Sequence, residues 1–426
     1  MKTLTSISIL ICLLATLRAD AETLHDAWET ALASHRQIAA AGAELEAAGF
    51  DLERARAARR PQLGLSTNYT HLDAAPNFAL GGVSAPLFAA DDFVRAGAEL
   101  GLPLYTGGAI RAGIDAAEAG ARAAADRLAI VTQDIKLGTA ERYVAVLEAE
   151  SAVAVAGSIV ASLASHTENT RKRFEAGAIP RNEYLAASVT LANAEQRRLA
   201  AGNALDYARA DYNRFLGRPL DSAVALDPAL AIDDLVPADR DLDGLILLAI
   251  ERRPQLDAIA SQARALQRQS AAARAAARPQ LAVTGGYMFL ENEFLDDDAF
   301  WMAGVSLSWR LFDGGESRRR AAALASRAAA LGHSRADLET SIALEVRRAW
   351  HDRIEAQSRL AVAERAVDQA NENLRVVRNR YAAGAGTHAD VLDAEALREQ
   401  ALGNRDAARF ELVLAGLRLA RAAGTL

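Results

Sequence analysis

The residues that could do chemistry in this chain are few and scattered. Asp390 and Asp393 stand three positions apart in "THADVLDA" (Thr387–Ala394), so on a helix both carboxylates share one face. Such a pair could hold a cation; equally, one acid could serve a helix start while the other stands in solvent. His351 and Glu355 are four apart on a helix, a spacing that suits a metal. The seven histidines are dispersed and no third ligand is evident, so this reads as a surface pair. "ENEFLDDD" (Glu291–Asp298) reads as a solvated acidic loop, with divalent-cation bridging as the alternative. No nucleophile–base constellation and no phosphate loop followed by Lys and Ser/Thr occurs. The expectation is a protein that is no enzyme and has no catalytic residue, cofactor or metal.

The elements that carry these residues are long helices. The chain has 426 residues, 51% hydrophobic but only 5% aromatic, and alanine dominates long stretches. Compact cores need large side chains; alanine-rich, charged sequence suits long helices packed closely side by side. The start reads as a signal peptide over 1–21: Lys2, an apolar "LTSISILICLLATL", and "ADA" ending at Ala21. The only cysteine, Cys12, lies inside the apolar run, and the preceding Ile11 is not small, so lipidation is not expected. No later run approaches ~20 uninterrupted apolar residues. Removing Lys2, Arg18 and Asp20 takes away a net +1, so a charge of −7 becomes −8. An acidic chain argues against nucleic acid as partner.

The sequence is a duplication. "ARRPQLGLSTNY" (Ala58–Tyr69) matches "AARPQLAVTGGY" (Ala276–Tyr287), and "LHDAWETALASHRQI" (Leu24–Ile38) matches "LDGLILLAIERRPQL" (Leu242–Leu256), both at an offset of 218. "LPLYTGG" (Leu102–Gly108) matches "WRLFDGG" (Trp309–Gly315) at 207, so the first copy carries 11 extra residues, read as a longer loop. The copies span 22–215 and 241–426, joined by a proline- and aspartate-rich connector over 216–240. Strands are expected at about 61–72 and 93–105, and again at about 279–290 and 300–312. Helical hairpins are expected to turn at about 176–182 and 383–389.

The last strand puts Trp301, Ala303, Val305, Leu307, Trp309 and Leu311 on one face. A half-buried sheet in a soluble domain explains most such alternation. A membrane strand is the sharper reading, because Trp301 and Trp309 lie ~26 Å apart, close to the height between aromatic girdles. Four strands cannot close; an open edge in lipid leaves backbone groups unsatisfied, so several copies would have to share one barrel. Three copies give about twelve strands and room for solutes. The remainder is helix: Ala109–Ala176 contains no proline and would span ~100 Å. Leu360, Val367, Leu374 and Tyr381 form one heptad seam, and Ala394, Ala401, Ala408 and Ala415 another. At the tips, Gly384 ends one helix left-handed and Thr387 with Asp390 starts the next. The first copy has Gly177, but Pro180 where the threonine would be.

The signal peptide, the duplication, R-P-Q-L before a strand, "LYTGG" and "LFDGG" after one, and the Y-x-x-G-x-x-T-x-x-D-V-L-x-A tip together resemble the TolC-type outer membrane efflux proteins. The resemblance implies a mainly α homotrimer: a 12-stranded β-barrel, four strands per chain, in outer-membrane lipid of a Gram-negative bacterium. A periplasmic α-helical barrel continues it. It implies an export duct of a tripartite efflux or type I secretion system. Its partners would be a periplasmic adaptor and an inner-membrane transporter of RND or ABC type. The alternative is a secreted periplasmic coiled-coil scaffold. On this resemblance the tips at Gly177, Pro180, Gly384 and Thr387 dock the adaptor, and Trp301 and Trp309 form the membrane girdle. Asp390 and Asp393 form an acidic ring at the periplasmic gate, where crowding would raise carboxylate pKa values. Glu183 and Tyr381 match the family's latch. Its basic partner would fall at Gly386, so Arg181 is a candidate substitute.

Overall fold

The computed structural model describes residues 21–74, 77–80, 82–86, 92–230, 240–291 and 297–426. The expected signal peptide up to residue 20, part of the connector (231–239) and the middle of the acidic loop (292–296) lie outside them. The described elements come in two rounds. The first is α1 (Leu24–Ser34), α2 (Arg36–Ala57), β1 (Gln62–His71), β2 (Asn77–Leu80), β3 (Val83–Pro86), β4 (Asp92–Tyr105), α3 (Ala109–Glu175) and α4 (Arg181–Phe215). The second is α5 (Leu242–Arg252), α6 (Pro254–Ala275), β5 (Gln280–Leu290), β6 (Ala299–Ser308), α7 (Glu316–Ala382) and α8 (His388–Ala423). Both α3 and α7 are 67 residues long. The extra length of the first copy is more than a loop: it contains the β2–β3 hairpin.

Each round opens with a helix broken in two, by different means. In the second, Arg253 is extended and Pro254 starts α6 at a position where no amide hydrogen is needed. The first round has Arg36 where the proline would be, and the bend is made at His35, the position that matches Arg253. His35 is extended (ψ 126°), its Nδ1 accepts the Gln37 amide at 3.2 Å, and its ring packs on Phe215 at 4.7 Å. Two chemistries thus make one bend.

The chain forms two compact units, and neither is one of the sequence copies. One comprises Ala39–Val131 and Arg253–Ser341, the other Thr132–Arg252, Ile342–Leu426 and the residues up to Ile38. The first holds an antiparallel sheet of order β1-β4-β5-β6. Its register aligns Leu65, Ala98, Tyr287 and Trp301 in one row across all four strands. The face containing that row also carries Leu63, Leu100, Val305 and Leu307 and is exposed, Leu65 at 86% and Trp301 at 81%. The opposite face carries Ser66, Asn68, Glu99, Thr284 and Ser306. Among the described residues neither edge strand, β1 or β6, has a partner on its outer side. At the corner after β4, Gly107 has φ +62°, and a Cβ there would sit 2.6 Å from the Arg278 Cβ. Arg278 also donates to the Gly107 carbonyl at 2.9 Å. This closeness accounts for the first glycine of "LYTGG", and a φ of +92° for the second.

The last strand is shorter than its alternation suggested. β6 ends at Ser308, so Trp309 and Leu311 lie beyond it. The register pairs Ser308 with Gln280, which sets Pro279, without an amide hydrogen, opposite Trp309. The Trp309 indole instead donates to the Ala277 carbonyl at 3.2 Å. Trp309 remains 56% exposed, held by that bond rather than by the sheet.

The second unit is helical. Tyr143, Tyr212, Leu216, Leu245, Leu417 and Leu419 are fully buried in it. The Tyr143 hydroxyl donates to the carbonyls of Glu22 and Asp227, and Arg218 holds the Glu22 carboxylate through two 2.8 Å bonds. The alanines of α8 at 394, 401, 408 and 415 are buried, as are Val367, Leu374 and Tyr381 of α7.

The sheet's two faces give a direct test. Val305→Arg places a charge on the apolar face and should cost about 2–4 kcal/mol if that face meets lipid. Ser306→Arg, on the other face, should be tolerated. Heat-modifiable oligomer in the membrane fraction is the readout; equal loss in both variants would refute the face assignment.

Candidate functional site

The two helical hairpins turn by the same backbone device. In the first, Gly177 has φ +70°, its amide bonds the Phe174 carbonyl at 2.9 Å, and Ala178 reaches back to Arg173 at 2.9 Å. In the second, Gly384 has φ +73°, its amide bonds Tyr381 at 3.1 Å, and Ala385 reaches Arg380 at 2.9 Å. This pattern closes a helix with a left-handed residue, which glycine adopts without steric cost. The next helix then starts differently in each copy. Thr387 and Asp390 form a reciprocal cap: the Asp390 amide donates to the Thr387 hydroxyl at 3.2 Å, and the Asp390 carboxylate accepts the Thr387 amide at 2.9 Å. Pro180 offers no side-chain cap, and Glu183 supplies only first-turn charge. Phe174 and Tyr184 stack at 6.0 Å across that first tip.

Asp390 and Asp393 are both exposed. Within one chain the Thr387 backbone bond, then its hydroxyl, hold Asp390 below the usual carboxylate range. That is opposite to the upward shift expected from crowding alone, because the capping bonds need the ionised form.

Glu183 and Tyr381 are not joined. Tyr381 is only 7% exposed, and its hydroxyl has no hydrogen-bond partner among the described residues. Arg173 takes the place of an acid: its guanidinium lies 4.6 Å from the Tyr381 ring and donates to the Tyr381 carbonyl at 3.1 Å. At Gly386, where the family's basic residue would fall, a Cβ would come 3.2 Å from the Tyr381 nitrogen.

Beside this contact lies a pair that the sequence does not announce. His166 of α3 and His388 of α8 are 7% and 6% exposed, and their Nε2 and Nδ1 atoms are 2.8 Å apart. The His166 ring is 5.4 Å from that of Tyr381. Burial, then the charges of His388 and Arg378, lowers the His166 pKa to about 4. Burial also lowers His388, against the opposing pull of Glu183. Farther along the same two helices, Ser162 bonds Glu395, which also pairs with Arg378, and Ser151 bonds Asp406. The side chain of Glu395 is 2% exposed. Two isolated histidines, 222 residues apart, carry no spacing signal that could have revealed the pair. His351 and Glu355 are exposed, and among the described residues no group of three His, Cys, Asp or Glu could hold a metal.

An exposed apolar sheet face, paired helical hairpins and a duplicated order define the comparison to be made. A sequence profile described as "outer membrane efflux protein" matches residues 27–218 and 245–425. The chain belongs to the outer membrane efflux protein family. The outer membrane protein TolC of Vibrio cholerae is 26% identical over 426 residues, covering 95% of this chain and 91% of that protein. The alkaline protease secretion protein AprF of Pseudomonas aeruginosa is 26% identical, covering 71% of this chain and 63% of that protein. A more local match, the outer membrane efflux protein BepC of Brucella suis, is 27% identical over 41% of its length. Among solved structures, VceC of Vibrio cholerae superposes with a TM-score of 0.80 at 18% identity, covering 94% of this chain and 96% of that chain. The open state of Neisseria gonorrhoeae MtrE superposes at 0.76 and 20%, covering 94% and 88%. These two likenesses establish the fold. Members of the outer membrane efflux protein family are channels. This one is an outer membrane export duct of a Gram-negative bacterium that extends into the periplasm. A periplasmic coiled-coil scaffold is not favoured.

The histidine pair sets a pH dependence for the tip. Both histidines titrate below the usual 6.5 when folded. Their contribution to α3–α8 packing is therefore complete above pH 6.5 and lost as pH falls toward 4. Asp390, already depressed below 3.8, does not titrate in that window. Hydrogen exchange of residues 379–392, corrected for intrinsic rates, should be faster at pH 5 than at pH 7.5. The double variant His166→Asn/His388→Asn should remove the difference; an unchanged difference would exclude the pair.

Proposed function

We propose that three copies of this chain assemble into one duct, with a twelve-stranded barrel in the outer membrane and a helical tunnel beneath it. The observation that carries this reading is the four-stranded sheet, whose apolar face is exposed while neither edge pairs with another described strand. In lipid every unpaired backbone group costs several kcal/mol, so the edges must be closed by other strands. Relatives such as TolC and AprF are components of tripartite efflux or secretion systems, which supports an adaptor and an inner-membrane transporter as partners. The transporter, of RND or ABC type, supplies the energy and selects the substrate. The duct wall, lined by small and polar residues, passes what it is given.

The hairpin tips at Gly177, Pro180, Gly384 and Thr387 dock the adaptor, and Trp301 and Trp309 meet the membrane boundary. Asp390 and Asp393 line the periplasmic entrance, six carboxylates in a trimer, favouring cations and open to block by multivalent ones. The two acids have separate tasks: Asp390 caps α8, whereas Asp393 is exposed and takes no part in the cap. The tie across the tip is carried by Arg173 and Tyr381 rather than by Glu183 or Arg181, because Arg173 is the residue that meets the tyrosine.

Asp393→Asn removes charge and leaves the cap intact. In single-channel recordings of purified protein, this variant should lose part of its cation preference and of its block by trivalent cations applied from the periplasmic side. The double variant with Asp390→Asn should lose most of both. Unchanged selectivity and block in the double variant would place the constriction elsewhere.

A further inference from the structure

Helices α2 and α7 adjoin opposite edges of the sheet: α2 leads into β1, and α7 follows β6. Each has two seams rather than one. On α2 the buried or half-buried seam is Ala41, Leu45, Ala48 and Leu52. On the opposite side Ala43, Glu46, Phe50 and Glu53 recur at spacings of three and four, and all are exposed, Phe50 at 66%. On α7 the covered seam is Ser317, Ala321, Leu324 and Ala328, and Arg320, Ala323, Arg327 and Ala330 make an exposed one. A helix at the rim of a bundle needs one seam; a second suits a helix packed from both sides.

The two exposed seams are complementary when read from the helix ends nearest the sheet. α2 ends at Ala57 and α7 begins at Glu316. Glu53 stands four residues before Ala57, and Arg320 four after Glu316. The same count brings Phe50 level with Ala323 at seven, Glu46 with Arg327 at eleven and Ala43 with Ala330 at fourteen. Run antiparallel, the seams set acid against base twice, with a large side chain over a small one between. Glu53 also holds Arg56 of its own helix at 2.9 Å, but Glu46 and Arg327 have no ion-pair partner among the described residues.

We propose that the exposed seam of α2 in one copy packs antiparallel on the exposed seam of α7 in the next, Glu46 meeting Arg327 and Phe50 covering Ala323. The inference rests on the reading that β1 of one copy closes on β6 of another, because that closure brings these two helices side by side. The charges make the joint selective. Two α2 seams facing each other would oppose acid to acid, and two α7 seams base to base. The helices therefore specify a head-to-tail ring, α2 onto α7. Strand edges, whose backbone hydrogen bonds are alike in any sequence, do not.

The test is a charge swap in the full-length protein, read as the temperature at which the oligomer band from outer membranes is lost. Glu46→Arg and Arg327→Glu should each lower that temperature, and the double variant should restore it. Glu44→Arg alters an acid that instead lines the groove between α2 and α3, so Arg327→Glu should not rescue it. Oxidative cross-linking of Phe50→Cys with Ala323→Cys is the second readout; a ladder that ends at three and needs both cysteines is expected. Thr67→Cys with Ala303→Cys reports strand closure separately. If the strand ladder forms while the helix pair stays uncross-linked and the swap fails to rescue, the seam is overturned and the closed barrel stands. If neither ladder forms, both readings fall. Cross-linking of Phe50→Cys to a different protein, in place of a second copy, would also overturn the proposal.

Discussion

The backbone's demand for hydrogen bonds in lipid is the constraint on which the rest of this structure depends. One chain provides β1-β4-β5-β6 with no described strand on either outer edge and an apolar face that no described residue covers. Water would tolerate the edges but not the face; lipid welcomes the face but not the edges. Both are satisfied only if β1 of one copy pairs with β6 of another until the sheet closes. Oligomerisation is then a condition of insertion rather than an addition to it. The duplication supplies two strand pairs per chain, and the strand–helix corner at Gly107 and Arg278 fixes where helix takes over from sheet.

The helical unit answers a different requirement. Seams of alanine bring helices close, but alanine packs alike in many registers and so specifies register poorly. Register comes from polar rungs between α3 and α8: Ser151 with Asp406, Ser162 with Glu395, and His166 with His388. The first two rungs are 11 residues apart on both helices, about three turns, which puts both on the same face of each helix. A slip would take Ser162 from the buried Glu395 carboxylate, at a cost of about 1.5–3 kcal/mol for a hydrogen bond to a charged group. The His166–His388 rung nearest the tips is also the one that acid can weaken, so the joint is firm along its length and conditional at its end.

Much of this was legible in the sequence, for identifiable reasons. Period-two alternation marks β4 and β6 because their two faces meet different media. Gly384, Thr387 and Asp390 could be read as a turn and cap because the chemistry is local, within seven residues. Trp309 was misplaced onto β6 because strand length depends on the partner, and Pro279 stands just before β5, where pairing stops. The contact that Tyr381 makes within the chain was not legible for a similar reason, since Arg173 lies 208 residues away. The histidine rung lies beyond local reading altogether.

The central claim, that β1 of one copy closes on β6 of another, can be tested by cross-linking. Cys12 is the only natural cysteine and lies within the expected signal peptide, so engineered pairs report cleanly. Thr67→Cys in β1 and Ala303→Cys in β6 lie on opposite edges of the sheet within one chain. The measurement is the covalent ladder formed by the double variant in outer membranes under oxidation, resolved without reductant, with each single variant as control. Dimer and trimer bands that end at three, and that need both cysteines, are the predicted result. A double variant that forms only intrachain bonds, or a ladder running past three, would contradict closure of one barrel by three chains.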